Sequence, residues 1–249
     1  MSKKKKNQEQ EHIHISCLIN HLQSKLSNDI ASAAESLAMY LGVQEDAETQ
    51  YGTPTCIQYT RGIGAFVQNM AKHQIKSVIL FDSPESFDFT TELIGDKKDL
   101  NLFMIEEPLP ISELSFPLCP NGEGWKTVIL EDIVPAIGGD AQLIQMLRSV
   151  SSAMEVGGFL IIRTADMVKN NSWNKEHNDT VVTESFEKTS LRKYTRTITA
   201  HGTVNIRHSE VLNSFSASDL HSCAREAHFR PTREMGLDPL EWCCYEKVV

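Results

Sequence analysis

The sequence lacks the features that would direct a chain into a membrane or a secretory route. It has no run of about 18 consecutive apolar residues, so no membrane-spanning helix is predicted. The basic run Lys3–Lys6 is followed by polar residues rather than by an apolar segment, which is not the pattern of a secretory signal. The six cysteines show neither a CxxC pair nor the spacing of metal ligands. We therefore expect a cytoplasmic protein with reduced thiols and no metal site.

Common catalytic motifs are also missing. The sequence contains no GxSxG, Walker loop, HExxH or GxGxxG motif. A net charge of −9 makes the chain a poor candidate for general nucleic-acid binding, and Lys3–Lys6 is interpreted as part of a solvated tail. Hydrophobic residues make up 41% and charged residues 23%, which suits an α/β domain with a sizeable core.

Short apolar runs alternate with helical patterns along much of the chain. An unbroken apolar run is typical of a strand that is buried on both faces, as in a parallel sheet. The alternation predicts an α/β fold with a doubly wound, mostly parallel sheet. The predicted strands are 77–81, 100–105, 125–130, 159–162 and 241–248, and the predicted helices are 62–72, 89–94, 141–154 and 218–227. Gly157 and Gly158 are expected to end the third of these helices, and Ser218 to cap the fourth.

The composition changes along the chain suggest three regions. Residues 1–15 form a polar tail that we expect to be disordered. Residues 16–60 are assigned to an N-terminal helical extension, since apolar residues recur at helical spacing over its first part. Residues 61–249 form the main domain. Within it, the polar stretch 164–206 is interpreted as a loop that acts as a lid or an insertion.

Acidic residues follow three of the predicted strands. They are Asp82, Glu106 and Asp132. Ligands of doubly wound sheets bind beyond the carboxyl ends of the strands, so these side chains are candidates for a binding site.

Two segments carry a resemblance to a known superfamily. Residues 125–163 (WKTVILEDIVPAIGGDAQLIQMLRSVSSAMEVGGFLIIR) and residues 215–248 resemble the central and closing parts of class I S-adenosylmethionine-dependent methyltransferases. This resemblance implies a Rossmann-like, seven-stranded sheet preceded by N-terminal helices. Within the superfamily, residues 50–62, the strand from Gly157 to Arg163, and the insert with Tyr194 are similar to phosphoethanolamine (phosphobase) N-methyltransferases of phospholipid biosynthesis.

The resemblance implies roles for individual residues. S-adenosylmethionine would be the cofactor, a small phosphobase the substrate, and Asp132 the catalytic residue that faces the substrate amine. Glu106, as the carboxylate after the second strand, would accept hydrogen bonds from the ribose hydroxyls. The implied cofactor-binding residues are Asp82, Ser83, Glu106 and Asp132, and the implied substrate-binding residues are Tyr51, Tyr59, Arg163 and Tyr194.

The sequence also departs from the superfamily pattern. Active members hold the cofactor with a glycine-rich loop after the first strand. Residues 77–81 are predicted to be that strand, so the loop is 82–87, which contains no glycine, and Ala136 stands where the phosphobase enzymes keep a histidine. We therefore predict that the cofactor loop is degenerate (a worn loop) and does not bind S-adenosylmethionine tightly in the usual mode. The chain would then have a regulatory or scaffolding role, as a homodimer or with a protein partner.

Two other functions stay open at this point. One is an active S-adenosylmethionine-dependent N-methyltransferase that acts on a small amine such as a phosphobase. In this case alignment of donor and acceptor would supply much of the rate. The other is a module that binds an anionic headgroup through the cationic side chains of Arg163, Arg192, Lys193 and Arg196, since the guanidinium of arginine binds phosphate in a bidentate manner.

Overall fold

The computed structural model describes residues 56–60, 77–84, 87–88, 102–105, 109, 115–120, 122–163, 172–177, 180–201, 206–232 and 242–249. The main sheet has seven strands: β1 (Cys56–Thr60), β2 (Ser77–Phe81), β3 (Leu102–Met104), β4 (Trp125–Glu131), β5 (Met154–Arg163), β10 (Phe229–Pro231) and β11 (Trp242–Lys247). A second sheet has four strands: β6 (Ser172–His177), β7 (Thr180–Lys188), β8 (Lys193–His201) and β9 (Ile206–Asn213).

The order of strands in the main sheet is β10-β11-β5-β4-β1-β2-β3. The pairs β1–β2, β1–β4, β2–β3 and β4–β5 are parallel. Strand β11 is antiparallel to both of its neighbours, β5 and β10. The expected fold class, a doubly wound and mostly parallel seven-stranded sheet, is confirmed. The N-terminal helices expected with it fall outside the described residues.

The two faces of this sheet differ in chemistry. Because side chains alternate between faces along a strand, Ile57, Tyr59 and their counterparts on the other strands point to one face. This face packs against helices α1 (Asp140–Ala153) and α2 (Ala217–Glu226) in one apolar core. The opposite face combines buried apolar side chains, such as Ile79, Phe81 and Ile129, with buried polar ones: Gln58, Thr60, Ser77, Thr127, Glu131 and Arg163.

Strand β1 corrects two predictions. Residues 56–60 were assigned to a helical extension, but they form a central strand between β2 and β4. The domain boundary at residue 60 is therefore wrong, because the sheet includes this strand. Strand 77–81 exists as predicted, but it is the second strand of the sheet rather than the first. The rest of the proposed extension, 16–55, and the predicted helices at 62–72 and 89–94 lie essentially outside the described residues.

The two consecutive glycines do not end helix α1, as had been expected. The helix ends at Ala153, and both glycines lie inside β5. The pairing of β5 with β4 shifts there, from Trp125↔Met154 to Thr127↔Phe159, which marks a bulge. Gly157 has a φ of +84°, and a Cβ on Gly158 would lie 3.1 Å from the carbonyl oxygen of Trp125. The glycines therefore allow the bulged strand to approach its neighbour closely.

Residues 164–206 were interpreted as a loop, but most of the described part of this region is an antiparallel sheet that continues to Asn213. The order of its strands is β6-β7-β8-β9. Its own apolar cluster is small and consists of Tyr194 and Leu212, with Phe186 packed against them. The sheet lies beside a short 3₁₀ helix, Val134–Ala136, that follows β4. In this contact the Asn213 side chain donates to the carbonyl of Ile137 at 2.6 Å.

Helix α2 begins one residue earlier than predicted, at Ala217. Its N-cap is Ser216 rather than Ser218. The Ser216 hydroxyl accepts from the Asp219 amide at 3.2 Å, and the Asp219 carboxylate accepts from the Ser216 amide at 3.0 Å, which is a capping box. Among the described residues, no helix is long and apolar enough to cross a bilayer.

Candidate functional site

The strand order places a topological switch point at β1. Strands β2 and β3 lie on one side of β1, and β4 and β5 lie on the other. The strand order therefore reverses between β1 and β4, and the carboxyl ends of these two strands flank a crevice. In open α/β sheets this crevice is the usual place for a ligand. The described residues at these ends are Thr60 on β1, Glu131 and Asp132 at the exit of β4, and Arg163 at the end of β5.

Four side chains at this edge form a connected polar network. Gln58 Nε2 donates to Glu131 Oε2 at 2.6 Å. The other carboxylate oxygen of Glu131 lies 3.6 Å from Arg163 Nη1. The same Arg163 nitrogen donates to Asp132 Oδ2 at 3.0 Å. We call Gln58, Glu131, Asp132 and Arg163 the exit network.

The exit network is buried except at Asp132. The Glu131 side chain is 0% exposed and that of Arg163 is 8% exposed, whereas the Asp132 side chain is 18% exposed. Burying charged groups is unfavourable unless they are paired and hydrogen-bonded, so the network holds its charges in a fixed arrangement. Asp132 is therefore the carboxylate of this network that a ligand can reach.

The backbone at Asp132 is unusual. Its φ is +60°, in the left-handed region that residues with a Cβ adopt infrequently. Such conformations carry an energetic cost and are found preferentially where the surrounding structure requires them, often at functional sites. Here the conformation turns the chain sharply from β4 toward the 3₁₀ helix and places the carboxylate beside Arg163.

The exit network has an excess of negative charge. Two carboxylates face one guanidinium, so the network carries one net negative charge when all three groups are ionised. Gln58 Oε1 is buried and has no hydrogen-bond partner among the described residues. An acceptor-rich, anionic cluster at a switch point suits a ligand that carries a positive charge or N–H and O–H donors.

The structure brings together only some of the predicted site residues. Asp132 and Arg163 are in contact, as described above. Asp82 and Ser83 follow β2 directly, so the side chain after the second strand is Asp82 and not Glu106. In the sequence, Glu106 follows β3 instead. Glu106 and Tyr51 lie outside the described residues, and their roles stay predictions.

The two described tyrosines among the predicted substrate residues are buried for structural reasons. Tyr59 is 2% exposed, packs edge-on against Phe116, and donates its hydroxyl to the carbonyl of Leu109 at 2.5 Å. Tyr194 belongs to the small apolar cluster of the second sheet with Leu212. Their burial in these contacts therefore does not support a substrate-binding role for either tyrosine.

The arginines predicted to bind an anionic headgroup are each paired with carboxylates. Arg163 contacts Asp132, and Arg196 donates to Glu210 at 3.0 Å. Arg192 lies in the turn between β7 and β8, where it binds both carboxylate oxygens of Asp140, at 2.8 and 2.9 Å, and Asp219 at 2.7 Å. A carboxylate therefore already faces each of the three guanidinium groups, so the arginines do not favour the headgroup-binding function, and the fourth candidate, Lys193, is exposed at the start of β8.

Sequence reasoning missed Gln58 and Glu131. Gln58 was not considered because its segment was not identified as a strand, and Glu131 was interpreted only as part of a strand exit. The signal for both was a polar side chain inside an otherwise apolar strand pattern, at Gln58 in CIQYT and at Glu131 in WKTVILE. A buried polar residue in such a pattern is more informative than an exposed one.

The corrected strand order also moves the expected cofactor loop. The loop after the first strand follows Thr60, where the sequence reads Arg61-Gly62-Ile63-Gly64, and not Asp82 to Phe87. The segment without glycine follows the second strand. The lack of glycine in 82–87 therefore says nothing about the loop after the first strand, and the state of that loop stays a prediction. Residues 61–64 lie outside the described residues.

Comparison with known proteins finds similarity in fold and not in sequence. No family model matches the chain, and no curated protein matches it. The CcbJ methyltransferase from Streptomyces caelestis matches with a TM-score of 0.65 and 11% identity, over 87% of this chain and 90% of that one. An S-adenosylmethionine-dependent methyltransferase from Clostridium acetobutylicum matches with a TM-score of 0.64 and 13% identity, over 92% and 96%.

A third match was solved with S-adenosylmethionine bound. It is an amino pentose methyltransferase of calicheamicin biosynthesis from Micromonospora echinaspora, with a TM-score of 0.63 and 10% identity over 92% of this chain and 95% of that one. At identities this low the matches establish the fold alone. The chain therefore has the class I fold of the S-adenosylmethionine-dependent methyltransferases.

Proposed function

We propose that the protein is an S-adenosylmethionine-dependent methyltransferase that acts on an amine of a small molecule. The observation that carries this proposal is the exit network at the switch point, in which Glu131 and Asp132 together outnumber the single cation Arg163. The fold shared with an amino pentose methyltransferase supports it.

The residues at the switch point fit this cofactor. S-adenosylmethionine is cationic at its sulfonium and, when bound, supplies an activated methyl group. The net negative charge of the exit network suits such a cation. Asp82, the first residue after β2, is the carboxylate that we assign to the ribose hydroxyls, because a carboxylate accepts two hydrogen bonds at once. Gly62 and Gly64 are the residues that we assign to close approach of the backbone.

The acceptor amine is assigned to Asp132. A carboxylate that accepts a hydrogen bond from the amine N–H orients the nitrogen lone pair, and it stabilises the positive charge that develops on nitrogen during methylation. Methyl transfer depends mainly on alignment of donor and acceptor, so a fixed carboxylate contributes by orientation. The absence of a histidine at Ala136 is compatible with this role.

Two classes of acceptor are to be distinguished. A phosphobase such as phosphoethanolamine requires a cation for its phosphate, and within the described part of the chain Arg163, Arg192 and Arg196 are each paired with carboxylates, which leaves Lys193 of the four candidates. An amino sugar requires no such cation. The charge of the exit network therefore favours an amino sugar as the acceptor over phosphoethanolamine.

Calorimetry with S-adenosylmethionine and S-adenosylhomocysteine tests the proposal. We expect both to bind, and Asp82→Asn to weaken each by about tenfold or more, which corresponds to the loss of roughly 1.4 kcal/mol. Asp88→Asn is the matched control, since Asp88 is an exposed carboxylate in the same segment, and it should leave binding unchanged. Methyl transfer to an amino pentose and to phosphoethanolamine is then compared.

The opposing result is equally clear. If neither cofactor form binds to the folded wild-type chain, the enzyme proposal is wrong and a scaffolding or regulatory role for a non-catalytic domain takes its place. If the cofactor binds but phosphoethanolamine is methylated in preference to the amino pentose, the cofactor assignment stands and the choice of acceptor class is wrong.

A further inference from the structure

Arg163 connects the buried and the accessible carboxylates of the exit network. We propose that Arg163 is a positioning residue that directs one oxygen of Asp132 toward the acceptor amine, with Glu131 and Gln58 fixing the guanidinium from behind. This inference rests on the proposed methyltransferase function. It adds the residues that determine how the acceptor is held.

The geometry assigns different tasks to the two oxygens of Asp132. Oδ2 accepts from Arg163 Nη1 at 3.0 Å. Within the described part of the chain, Oδ1 has no hydrogen-bond partner, and the side chain is 18% exposed. The guanidinium therefore holds one oxygen of the carboxylate and leaves the other as an acceptor for an N–H group.

Glu131 faces the guanidinium from the interior at ion-pair distance, without a hydrogen bond between the two groups. The guanidinium Nη1 lies 3.6 Å from Glu131 Oε1, and Glu131 Oε2 accepts from Gln58 Nε2 at 2.6 Å. Gln58 and Glu131 are both 0% exposed, so neither can change its contacts without disturbing the centre of the sheet. A short chain of contacts thus runs from the core strand β1 to the accessible carboxylate. Supporting contacts of this kind determine how well a binding group is oriented.

Structural stability alone is a poor explanation for this network. Replacing buried ion pairs by apolar residues of similar volume is often neutral or stabilising, and the other face of the same strands is apolar. The left-handed backbone at Asp132 adds a further cost. A stability role and a positioning role make different predictions for ligand binding, and this difference allows a test.

The test measures binding of an amino pentose to the protein loaded with S-adenosylhomocysteine. The parent pentose, which lacks the amine, is the matched control ligand. We expect Asp132→Asn and Arg163→Gln each to weaken binding of the amino pentose by about tenfold. Binding of the parent pentose and of S-adenosylhomocysteine should stay unchanged. The double variant should bind the amino pentose no more weakly than Asp132→Asn alone, because Arg163 acts through Asp132.

Turnover separates positioning from folding. Arg163→Lys keeps the charge but loses the planar fork, and we expect it to restore part of the acceptor affinity lost in Arg163→Gln. If Arg163→Gln does not fold, the double variant Glu131→Gln with Arg163→Gln, which removes one charge of each sign, replaces it in the comparison with Asp132→Asn. In each variant we expect the KM for the acceptor to rise by a larger factor than kcat falls. The unfolding midpoint of Arg163→Lys should lie near that of the wild type.

Several results overturn the inference. Equal binding of the two pentoses by the wild type would remove the amine contact on which it depends. Additive losses in the double variant, or a loss of S-adenosylhomocysteine binding in step with stability, would make Arg163 a structural residue. A wild type that binds no S-adenosylhomocysteine contradicts the proposed function itself, whereas normal cofactor binding with unchanged amine selectivity in Arg163→Gln contradicts only this inference.

Discussion

The buried ion pair of the second sheet offers a sharp test of how that sheet is stabilised. Arg196 on β8 and Glu210 on β9 are directly opposite in the register, and their side chains are 6% and 15% exposed. The guanidinium donates to the carboxylate at 3.0 Å. Since the apolar cluster of this sheet is small, we expect the second sheet to depend strongly on this pair.

The magnitude follows from burial. Removing one partner of a buried ion pair is strongly destabilising and costs about 3–5 kcal/mol. Because Glu210 retains some exposure, we expect Glu210→Gln to lower the free energy of unfolding by about 3 kcal/mol, at the lower end of this range. The double variant Arg196→Met with Glu210→Leu removes both charges, and we expect it to recover most of that loss.

Urea unfolding measures the global effect, and amide hydrogen exchange of β7, β8 and β9 measures local opening. Faster exchange confined to these strands would show that the second sheet opens before the main sheet. The reasoning is refuted if Glu210→Gln changes neither quantity. It is also refuted if the double variant is less stable than Glu210→Gln, because the pair would then stabilise the sheet beyond its apolar replacement.

Three further predictions concern the main domain. Gly158→Ala should cost roughly 1–3 kcal/mol, because a Cβ there meets backbone carbonyls of β4 that cannot move aside, and urea unfolding measures it. Tyr245→Phe should cost about 1 kcal/mol, because it removes the 2.9 Å hydrogen bond between the buried hydroxyl and His221 Nδ1; an unchanged unfolding midpoint would contradict it. The third is pH-dependent. Burial raises the pKa of Asp219, but the Ser216 hydrogen bonds and the charge of Arg192 outweigh this and lower the pKa below its usual value. The resulting stabilisation is present above the unfolded-state pKa of about 3.9 and is lost as the pH falls through the lower folded-state pKa. Asp219→Asn should flatten this part of the curve of unfolding free energy against pH.

Much of the main sheet could be predicted from the sequence. Strands β2, β4 and β11 were placed within two residues of their observed ends, because their apolar runs are short, continuous and bounded by polar residues. Helix α1 was predicted from its repeat of buried positions, such as Leu143, Leu147 and Val150. In these elements the local pattern and the tertiary environment agree, and prediction succeeds for that reason.

The second sheet was missed because its strands are polar. Thr195, Thr197 and Thr199 lie on one face of β8, so the stretch has few apolar residues and was interpreted as a loop. The signal was nevertheless present, because β-branched residues at alternate positions are typical of a strand with one solvated face. Its apolar partners on the other face are too few to give a clear period of two in the sequence.

Strand β1 was missed for a reason that connects the fold to the site. A parallel strand that is buried on both faces normally has a continuous apolar sequence, but in β1 the polar residues Gln58 and Thr60 alternate with Ile57 and Tyr59. These two polar residues are buried at the switch point, and Gln58 contacts Glu131 there. The sequence rule failed where the chain departs from the residues that best suit a core strand. Such departures are expected at functional sites, where residues serve binding as well as stability. Because β1 was missed, 77–81 was predicted as the first strand and 82–87 as the cofactor loop. This placement led to the prediction of a methyltransferase domain with a degenerate cofactor loop. With β1 in its place, Gln58 belongs to the exit network, and the segment without glycine follows the second strand rather than the first.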